Sequence, residues 1–309
     1  MIRNEPAISP ERLFRERGPF FHVCSKPVDV ILFTDDLDRK TVLLYLALAA
    51  WESSVVILAY AIMSNHIHVL IAGDNPEQFY LNFFKRVNAF LARRGDKERR
   101  LPEEPTIVPV TSLIQFMNVT AYVIRNQYVV DQSANPVSLI WSSGYLYFNP
   151  VLRHLMSEVK YASADSLSGR KLMKLSHSKE LSQYIGKMRF LNDFPSPSSF
   201  VDHELVERLF SSARQFFLNV FRNVEGQVET ALMLGEVPVV PDEEMSRLMW
   251  KYCKNELGAP GFRDLTTAQR IDLAKHMKYA YRSSNGQVAR ISGLSRKEVD
   301  TLFPQAFSG

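Results

Sequence analysis

The fold is decided by residues 58–73, which read LAYAIMSNHIHVLIAG. Two apolar runs rich in β-branched residues, 55–63 and 66–72, lie on either side of the polar residues Ser64 and Asn65. Two such runs joined by a short polar connection predict a β-hairpin.

The second strand of this hairpin carries two histidines, His66 and His68. Side chains two residues apart in a strand share a face, so both imidazoles are predicted on one side of the sheet. The opposite side is predicted to fill a core with Ile67, Val69 and Ile71. Two imidazoles on a rigid strand can chelate a divalent ion, but a closed structural zinc site normally has four ligands. The remaining ligands would come from elsewhere; the alternative is two unrelated histidines in a half-buried strand.

Further strands and helices are predicted on both sides of the hairpin. The predicted elements are a strand at Phe20–Cys24, a helix over 36–52 capped by Asp35 or Asp36, the hairpin, a helix at Glu77–Arg94, a strand at Thr106–Val110 and a helix at Ser112–Val130. This order predicts an α+β fold, with a ferredoxin-like, split βαβ sheet and one added helix.

Beyond residue 131 the pattern favours helices. A Pro/Ser-rich breaker at 193–200 precedes helical segments near 202–222 and 242–257, whereas 137–192 has no clear pattern. A further helix is predicted over 267–281. We therefore expect a mostly helical C-terminal region.

The last residues resemble a helix-turn-helix. Gly293 stands where a tight turn would fall, and Ser295 with Glu298 forms the sequence of a capping box that opens the last helix. On this interpretation Arg296 and Lys297 lie on the DNA-recognition helix. The alternative is an ordinary small helical hairpin. The sequence as a whole is interpreted as three regions: a domain over 1–150, a connecting region over 151–245 and a helical DNA-binding module over 246–309.

Composition excludes several classes of protein. The 309 residues are 46% hydrophobic and 23% charged, which excludes disordered, collagen-like and coiled-coil chains. Two cysteines, Cys24 and Cys253, are too few for a disulfide framework. The longest apolar runs have ten and nine residues, whereas a membrane-spanning helix needs about 20. With no secretory signal visible, we expect a cytoplasmic, nucleoid-associated protein without a membrane partner.

The net charge of +4 is unevenly distributed. Residues 1–150 are neutral, 201–250 carry 4 Lys/Arg against 9 Asp/Glu, and 251–309 carry 10 against 5. Within the neutral part, residues 85–100 hold seven positive and two negative side chains. A nucleic-acid partner would explain these basic stretches, although solvated helix faces are often basic as well.

A second motif lies in the predicted helix over 112–130. Tyr122 and Asn126 are four residues apart and therefore share one helical face. A hydroxyl and an amide side by side could serve as nucleophile and metal ligand. The ordinary alternative is a tyrosine at the edge of the core next to a hydrogen-bonded asparagine.

Together the two motifs resemble the single-tyrosine HUH transposases, and within them the type associated with repetitive extragenic palindromes (REP). The hairpin of that family reads Ala-Tyr-x-x-Met-Pro-Asn-His-hydrophobic-His, and its later helix reads Tyr-Ile-x-x-Asn-Pro. In this chain Ser64 and Gln127 replace the two prolines, and Val123 replaces the isoleucine. The matching residues are Ala59, Tyr60, Met63, Asn65, His66, His68, Tyr122 and Asn126. A Trp-Ser-Ser element that follows in many members matches 141–143, so that the resemblance covers about residues 15–150.

The resemblance implies a chemical role for each matched polar residue. His66 and His68 would hold Mg²⁺ or Mn²⁺, with Asn126 as third ligand and Gln127 as a fallback. Tyr122 would attack the scissile phosphate and remain joined to the DNA 5′-phosphate. The expected substrate is single-stranded DNA with a hairpin, bound by a monomer or homodimer. The basic side chains of the helix over 77–94 would contact its backbone: Lys85, Arg86, Arg93 and Arg94.

Two other functions fit the same sequence. One is an HUH replication initiator or relaxase-like nickase, for which a second tyrosine on the same helical face would be expected. Tyr128 is six residues from Tyr122 and lies off that face. The other is a non-catalytic DNA-binding regulator. The intact histidines and tyrosine favour the transposase.

Overall fold

The computed structural model of the chain describes residues 8–95, 98–130, 135–152, 162–163, 170, 187–191 and 194–304. The fold is α+β, and the chain divides into two compact units, residues 1–222 and 223–309. Within the predicted connecting region, 151–245, residues 153–161, 164–169, 171–186 and 192–193 lie outside the described residues.

The first unit is built on the predicted hairpin. Its elements up to residue 130 are α1 (Pro10–Arg17), β1 (Phe20–Cys24), α2 (Asp36–Glu52), β2 (Val56–Ile62), β3 (Ile67–Ala72), α3 (Pro76–Arg93), β4 (Thr106–Val110) and α4 (Leu113–Val130). The predicted order from β1 to α4 is confirmed, with ends shifted by at most one residue, whereas α1 was not predicted. Asp35 caps α2 by accepting a hydrogen bond from the Asp38 backbone N–H at 2.9 Å, as expected of an acidic N-cap.

The four strands form one antiparallel sheet in the order β2-β3-β1-β4. The histidine strand β3 is therefore central, between its hairpin partner β2 and the first strand β1. The register places Cys24 opposite His68 and His22 opposite Leu70. Residues of β1 and β3 that lie far apart in sequence thus become neighbours at the end of the sheet where the hairpin turns.

The sheet separates two apolar cores. On one face, α2 and α3 pack over a core that includes Ile67, Val69 and Ile71, as the strand pattern predicts. On the other face, α4 packs over a core that includes Leu70. His68 alternates with the first set, so its side chain belongs to the face covered by α4.

The Trp-Ser-Ser element extends the free edge of β2. Ser142 forms an antiparallel bridge with Ala61, and the Trp141 carbonyl accepts a hydrogen bond from the Ile62 N–H at 2.9 Å. The next residue is glycine because a Cβ at Gly144 would lie 2.4 Å from the Pro136 carbonyl oxygen.

The described residues of the first unit after residue 130 include short strands and helices. A small antiparallel sheet contains β5 (Ala162–Ser163), β6 (Arg189–Leu191) and β7 (Phe194–Pro195). The helical segment predicted near 202–222 is two helices, α5 (His203–Phe210) and α6 (Ala213–Arg222). Ser211, which has a positive φ of 61°, ends α5 and breaks the segment.

The second unit is helical. It contains α7 (Val224–Met233), α8 (Asp242–Asn255), α9 (Thr267–Ala280), α10 (Asn285–Ser292) and α11 (Arg296–Leu302). Gly293 ends α10 with a φ of 74°, where Gly is favoured, and the predicted capping box of Ser295 and Glu298 opens α11. The mostly helical C-terminal region is confirmed. None of the helices described in either unit is long and apolar enough to span a bilayer.

Candidate functional site

The two histidines of the hairpin lie where β3 begins. His66 ends the turn and is partly buried, whereas His68 lies within β3 and is fully buried. The Nε2 atoms of the two rings are 2.8 Å apart. Two nitrogens bound to one divalent ion at about 2.1 Å each would lie roughly 3 Å apart at a right angle. The paired rings therefore fit the donor arrangement that a divalent cation requires.

Asn65 fixes the orientation of the His66 ring. Its Nδ2 donates to the backbone carbonyl of Val28 at 2.6 Å, and its Oδ1 lies 2.8 Å from Nδ1 of His66. A carbonyl can only accept, so the amide orientation is set, and Nδ1 of His66 must carry the proton that Oδ1 accepts. Nε2 of a neutral His66 then holds a lone pair directed towards His68.

A third histidine contacts the pair from β1. Nε2 of His22 lies 3.1 Å from Nδ1 of His68, so that His22 and His66 contact opposite nitrogens of the same ring. His22 is fully buried, and its Nδ1 has no hydrogen-bond partner among the described residues. His22 was not among the predicted site residues. The available signal was a polar residue on an apolar strand, at a position that shares its face with Phe20.

Burial keeps these rings neutral. Desolvation lowers the pKa of His66 to about 4. It also lowers the pKa of His22 to about 3, with a smaller contribution from the charge of His66. The pKa of His68 is well below its usual value because of burial, with both neighbouring histidines adding to the shift. At neutral pH each ring therefore has one protonated nitrogen and one lone pair, which a metal ligand requires.

Tyr122 lies beside this histidine cluster. Its half-buried ring, on α4, meets His68 edge to face with centroids 5.7 Å apart, and its centroid is 6.4 Å from that of His22. The structure thus brings together the two motifs that the sequence analysis singled out. Tyr128 is engaged elsewhere, because the guanidinium of Arg125 stacks over its ring at 5.5 Å.

Asn126 lies one helical turn beyond Tyr122 and is half-buried. Its Nδ2 donates to the Tyr122 carbonyl at 3.1 Å. Its Oδ1 is therefore the atom available to a cation, and an amide oxygen suits Mg²⁺ or Mn²⁺. The side chain of Gln127, the fallback ligand, lies outside the described residues.

Cys24 adds a sulfur donor next to His68. The thiol is buried, and its sulfur lies within 4.8 Å of a ring nitrogen of His68. Cys24 was not a predicted site residue, because the register that pairs it with His68 exists only in the folded sheet.

The four basic residues predicted to contact DNA lie on α3 or, for Arg94, directly after it, and they have different surroundings. Helix α3 covers the sheet face opposite α4. Arg94 pairs with Asp35 and Asp38 at the start of α2, and Arg86 pairs with Glu52 at its end. The start of α2 follows the loop whose Leu32 and Phe33 N–H groups bond to Ser64 in the hairpin turn. The end of α3 with Arg93 and Arg94 is therefore the end nearer the histidines. Lys85 and Arg93 are exposed.

The proposed recognition helix carries one basic side chain that is already paired. Arg296 forms an ion pair with Asp300 at 2.9 Å on the same helix, whereas Lys297 is exposed. The second unit as a whole holds 11 Lys/Arg against 11 Asp/Glu, because the acidic residues before 251 balance the basic residues after it. DNA contact by Arg296 and Lys297 stays a prediction.

Comparisons with protein-family models, with curated proteins and with solved structures find no match for this chain.

Proposed function

We propose that the chain is a metal-dependent, single-tyrosine HUH transposase of the REP-associated type. It would cleave and rejoin single-stranded DNA at hairpin-forming sites through a 5′-phosphotyrosine. One observation carries the proposal: Tyr122 lies beside His68 although their motifs are more than fifty residues apart in sequence. A chance pair of histidines and an unrelated tyrosine would have no reason to meet on one face of the sheet. On this proposal the sheet of the first unit is an HUH sheet of the ferredoxin-like type.

The donor atoms suit a divalent cation. His66 and His68 would bind it through their Nε2 atoms and Asn126 through Oδ1. Bound there, Mg²⁺ or Mn²⁺ would polarise the scissile phosphate and stabilise charge on its oxygens.

Tyr122 would be the nucleophile. Its oxygen forms a bond to phosphorus while the bond from phosphorus to the 3′ oxygen breaks; the phenol loses a proton, and the departing 3′ oxygen gains one. The 5′-phosphate stays on the protein, so the energy of the phosphodiester is kept and a second 3′-hydroxyl can reverse the step to join new DNA. The half-buried ring lies on a rigid helix, which limits the positions that its oxygen can adopt.

The hairpin DNA would be held by exposed basic side chains. Arg93 and Arg94, at the end of α3 nearer the histidines, are better placed to contact its backbone than Lys85 and Arg86. In the second unit, α10 and α11 would form a helix-turn-helix module, with Lys297 the more available of its two predicted contacts. Such contacts would be sensitive to salt.

A covalent-adduct assay tests the proposal. Labelled single-stranded DNA from the palindromic flanks of the chain's own gene is incubated with Mn²⁺ or Mg²⁺ and run on a denaturing gel. We expect an adduct with the wild type and with the matched variant Tyr128→Phe. We expect none with Tyr122→Phe or in the presence of a chelator.

Three results would count against this function. An adduct that persists in Tyr122→Phe would show that Tyr122 is not the nucleophile. An adduct that is lost only in Tyr128→Phe would show the same. A shifted band on a native gel without any adduct would instead indicate the DNA-binding regulator.

A further inference from the structure

His22 contacts the histidine pair from the side that a cation would not occupy. The four polar side chains form one continuous chain of contacts: Asn65 Oδ1 to His66 Nδ1 at 2.8 Å, His66 Nε2 to His68 Nε2 at 2.8 Å, and His68 Nδ1 to His22 Nε2 at 3.1 Å. Each link joins two atoms that either share one proton or repel each other. The nitrogen that carries the proton on each of these three histidine rings is therefore set by its neighbours.

Without a cation, the protons on Asn65 and the three histidines can be placed in one self-consistent arrangement. Asn65 makes Nδ1 of His66 the donor, so its Nε2 must accept a proton from Nε2 of His68. Nδ1 of His68 then holds a lone pair and accepts from Nε2–H of His22. Nδ1 of His22 is left as a buried lone pair, which agrees with its lack of a partner among the described residues.

Binding a cation requires the opposite arrangement on two of the rings. Nε2 of His68 must give up its proton so that its lone pair faces the ion, and the ring carries its proton on Nδ1 instead. Nε2 of His22 then becomes the acceptor, and its proton resides on Nδ1. Metal-bound histidines generally donate their other N–H to a fixed partner, which orients the ring and raises its basicity.

We propose that His22 is a positioning residue that holds His68 in its metal-binding tautomer by accepting the Nδ1 proton. This inference rests on the proposed function, since it assumes that His66 and His68 bind the cation. His22 itself does not touch the ion, because it contacts the nitrogen on the far side of the His68 ring. A buried imidazole can serve as donor in one state and acceptor in the other, which a purely apolar residue at this place cannot do.

Two substitutions separate the positioning role from simple packing. His22→Phe keeps a ring in the space but removes the acceptor, and His22→Gln supplies an amide oxygen that can accept from Nδ1 of His68. Mn²⁺ binding is measured by the electron paramagnetic resonance signal of the free ion, without DNA. We expect His22→Phe to bind Mn²⁺ about 10- to 100-fold more weakly than the wild type, as for other lost outer partners of metal ligands. His22→Gln should retain most of the affinity, and the matched control His203→Gln all of it.

Nitrogen NMR of the histidines reports the tautomers directly. In the metal-free wild type we expect protons on Nε2 of both His68 and His22. With Zn²⁺ as a diamagnetic probe, we expect both protons on Nδ1. This measurement tests the role of His22 even if His22→Phe does not fold, because it uses the unaltered protein.

The inference is overturned if His22→Phe folds and binds Mn²⁺ like the wild type, or if Zn²⁺ leaves the tautomer of His22 unchanged. These outcomes leave the proposed function intact as long as the wild type binds Mn²⁺ and His66→Gln weakens that binding. A wild type that does not bind Mn²⁺ overturns the metal site and the inference together.

Discussion

The histidines of the site make the stability of the chain depend on pH. In the unfolded chain each histidine has a pKa near 6.5, whereas burial lowers that of His66 to about 4 and that of His22 to about 3. Below pH 6.5 the unfolded chain therefore binds protons that the folded chain does not. The stabilisation is present above pH 6.5 and is lost as the pH falls towards 4.

We expect the free energy of unfolding of the metal-free chain to fall between pH 6.5 and 5, as measured by urea denaturation with a chelator present. Each buried histidine should contribute up to about 1.4 kcal/mol per pH unit. His66→Gln removes one of these groups, so its stability should fall less steeply. His203→Gln, a matched substitution at a half-exposed site, serves as control. An equal pH dependence in His66→Gln and the wild type would contradict the expected protonation states.

The same residues show how far the sequence determines the site. Strand periodicity placed His66 and His68 on one face, and helical spacing placed Tyr122 and Asn126 on another. Neither strand periodicity nor helical spacing predicts that the histidine face of the strand contacts the tyrosine face of the helix. The proximity of His22 and Cys24 to His68 could not be predicted, because it depends on the antiparallel register of β1 and β3. Strand pairing between distant segments has no local signature in a single sequence.

At the scale of the element, Ser143 anchors the free edge of β2. Its Oγ accepts a hydrogen bond from the Tyr60 N–H at 3.0 Å and lies 2.9 Å from the Tyr147 hydroxyl oxygen, all in buried surroundings. The Trp-Ser-Ser element thus has a structural role, and it need not touch DNA. Its sequence alone does not show this, because the edge strand it covers lies eighty residues earlier.

Removing the Ser143 hydroxyl should destabilise the first unit. Ser143→Ala leaves the Tyr60 N–H buried without its acceptor, which costs about 1–3 kcal/mol. Chemical denaturation should report this loss, whereas Ser138→Ala, which removes an exposed hydroxyl, should leave the midpoint nearly unchanged. Equal stability of the two variants would show that water replaces Ser143 at this edge.

The secondary structure of the first unit follows the sequence closely because its signals are local. The acidic cap of α2, the polar turn of the hairpin and the apolar period of α3 and α4 each act within a few residues. The break between α5 and α6 was not predicted, because it depends on a positive φ at Ser211, a residue type that seldom marks such a break. Helix α1 was missed as well, although Ser9 caps it and Pro10 opens it, so local signals are not always sufficient.

At the scale of the whole molecule, each unit has cores of its own. Both cores of the first unit lie between residues 13 and 220, and that of the second lies between 224 and 303. The predicted boundary at 245/246 falls inside α8, after a helix that contributes Val224 and Val228 to the second core. The acidic residues between 223 and 245 thus belong to the helical unit, which is why that unit carries no net charge.

We therefore expect residues 223–309, expressed alone, to fold into a helical unit that melts cooperatively when followed by circular dichroism. A fragment that begins at residue 246 is the matched control. It lacks α7 and the first residues of α8, and with them four side chains of the core: Val224, Val228, Val240 and Met245. Because burying each such side chain contributes about 1.5–3 kcal/mol, and a domain of this size has only about 5–15 kcal/mol in total, the shorter fragment should not unfold cooperatively. If both fragments melt alike, the core of the unit does not depend on α7, and the boundary at 222/223 does not mark where independent folding begins.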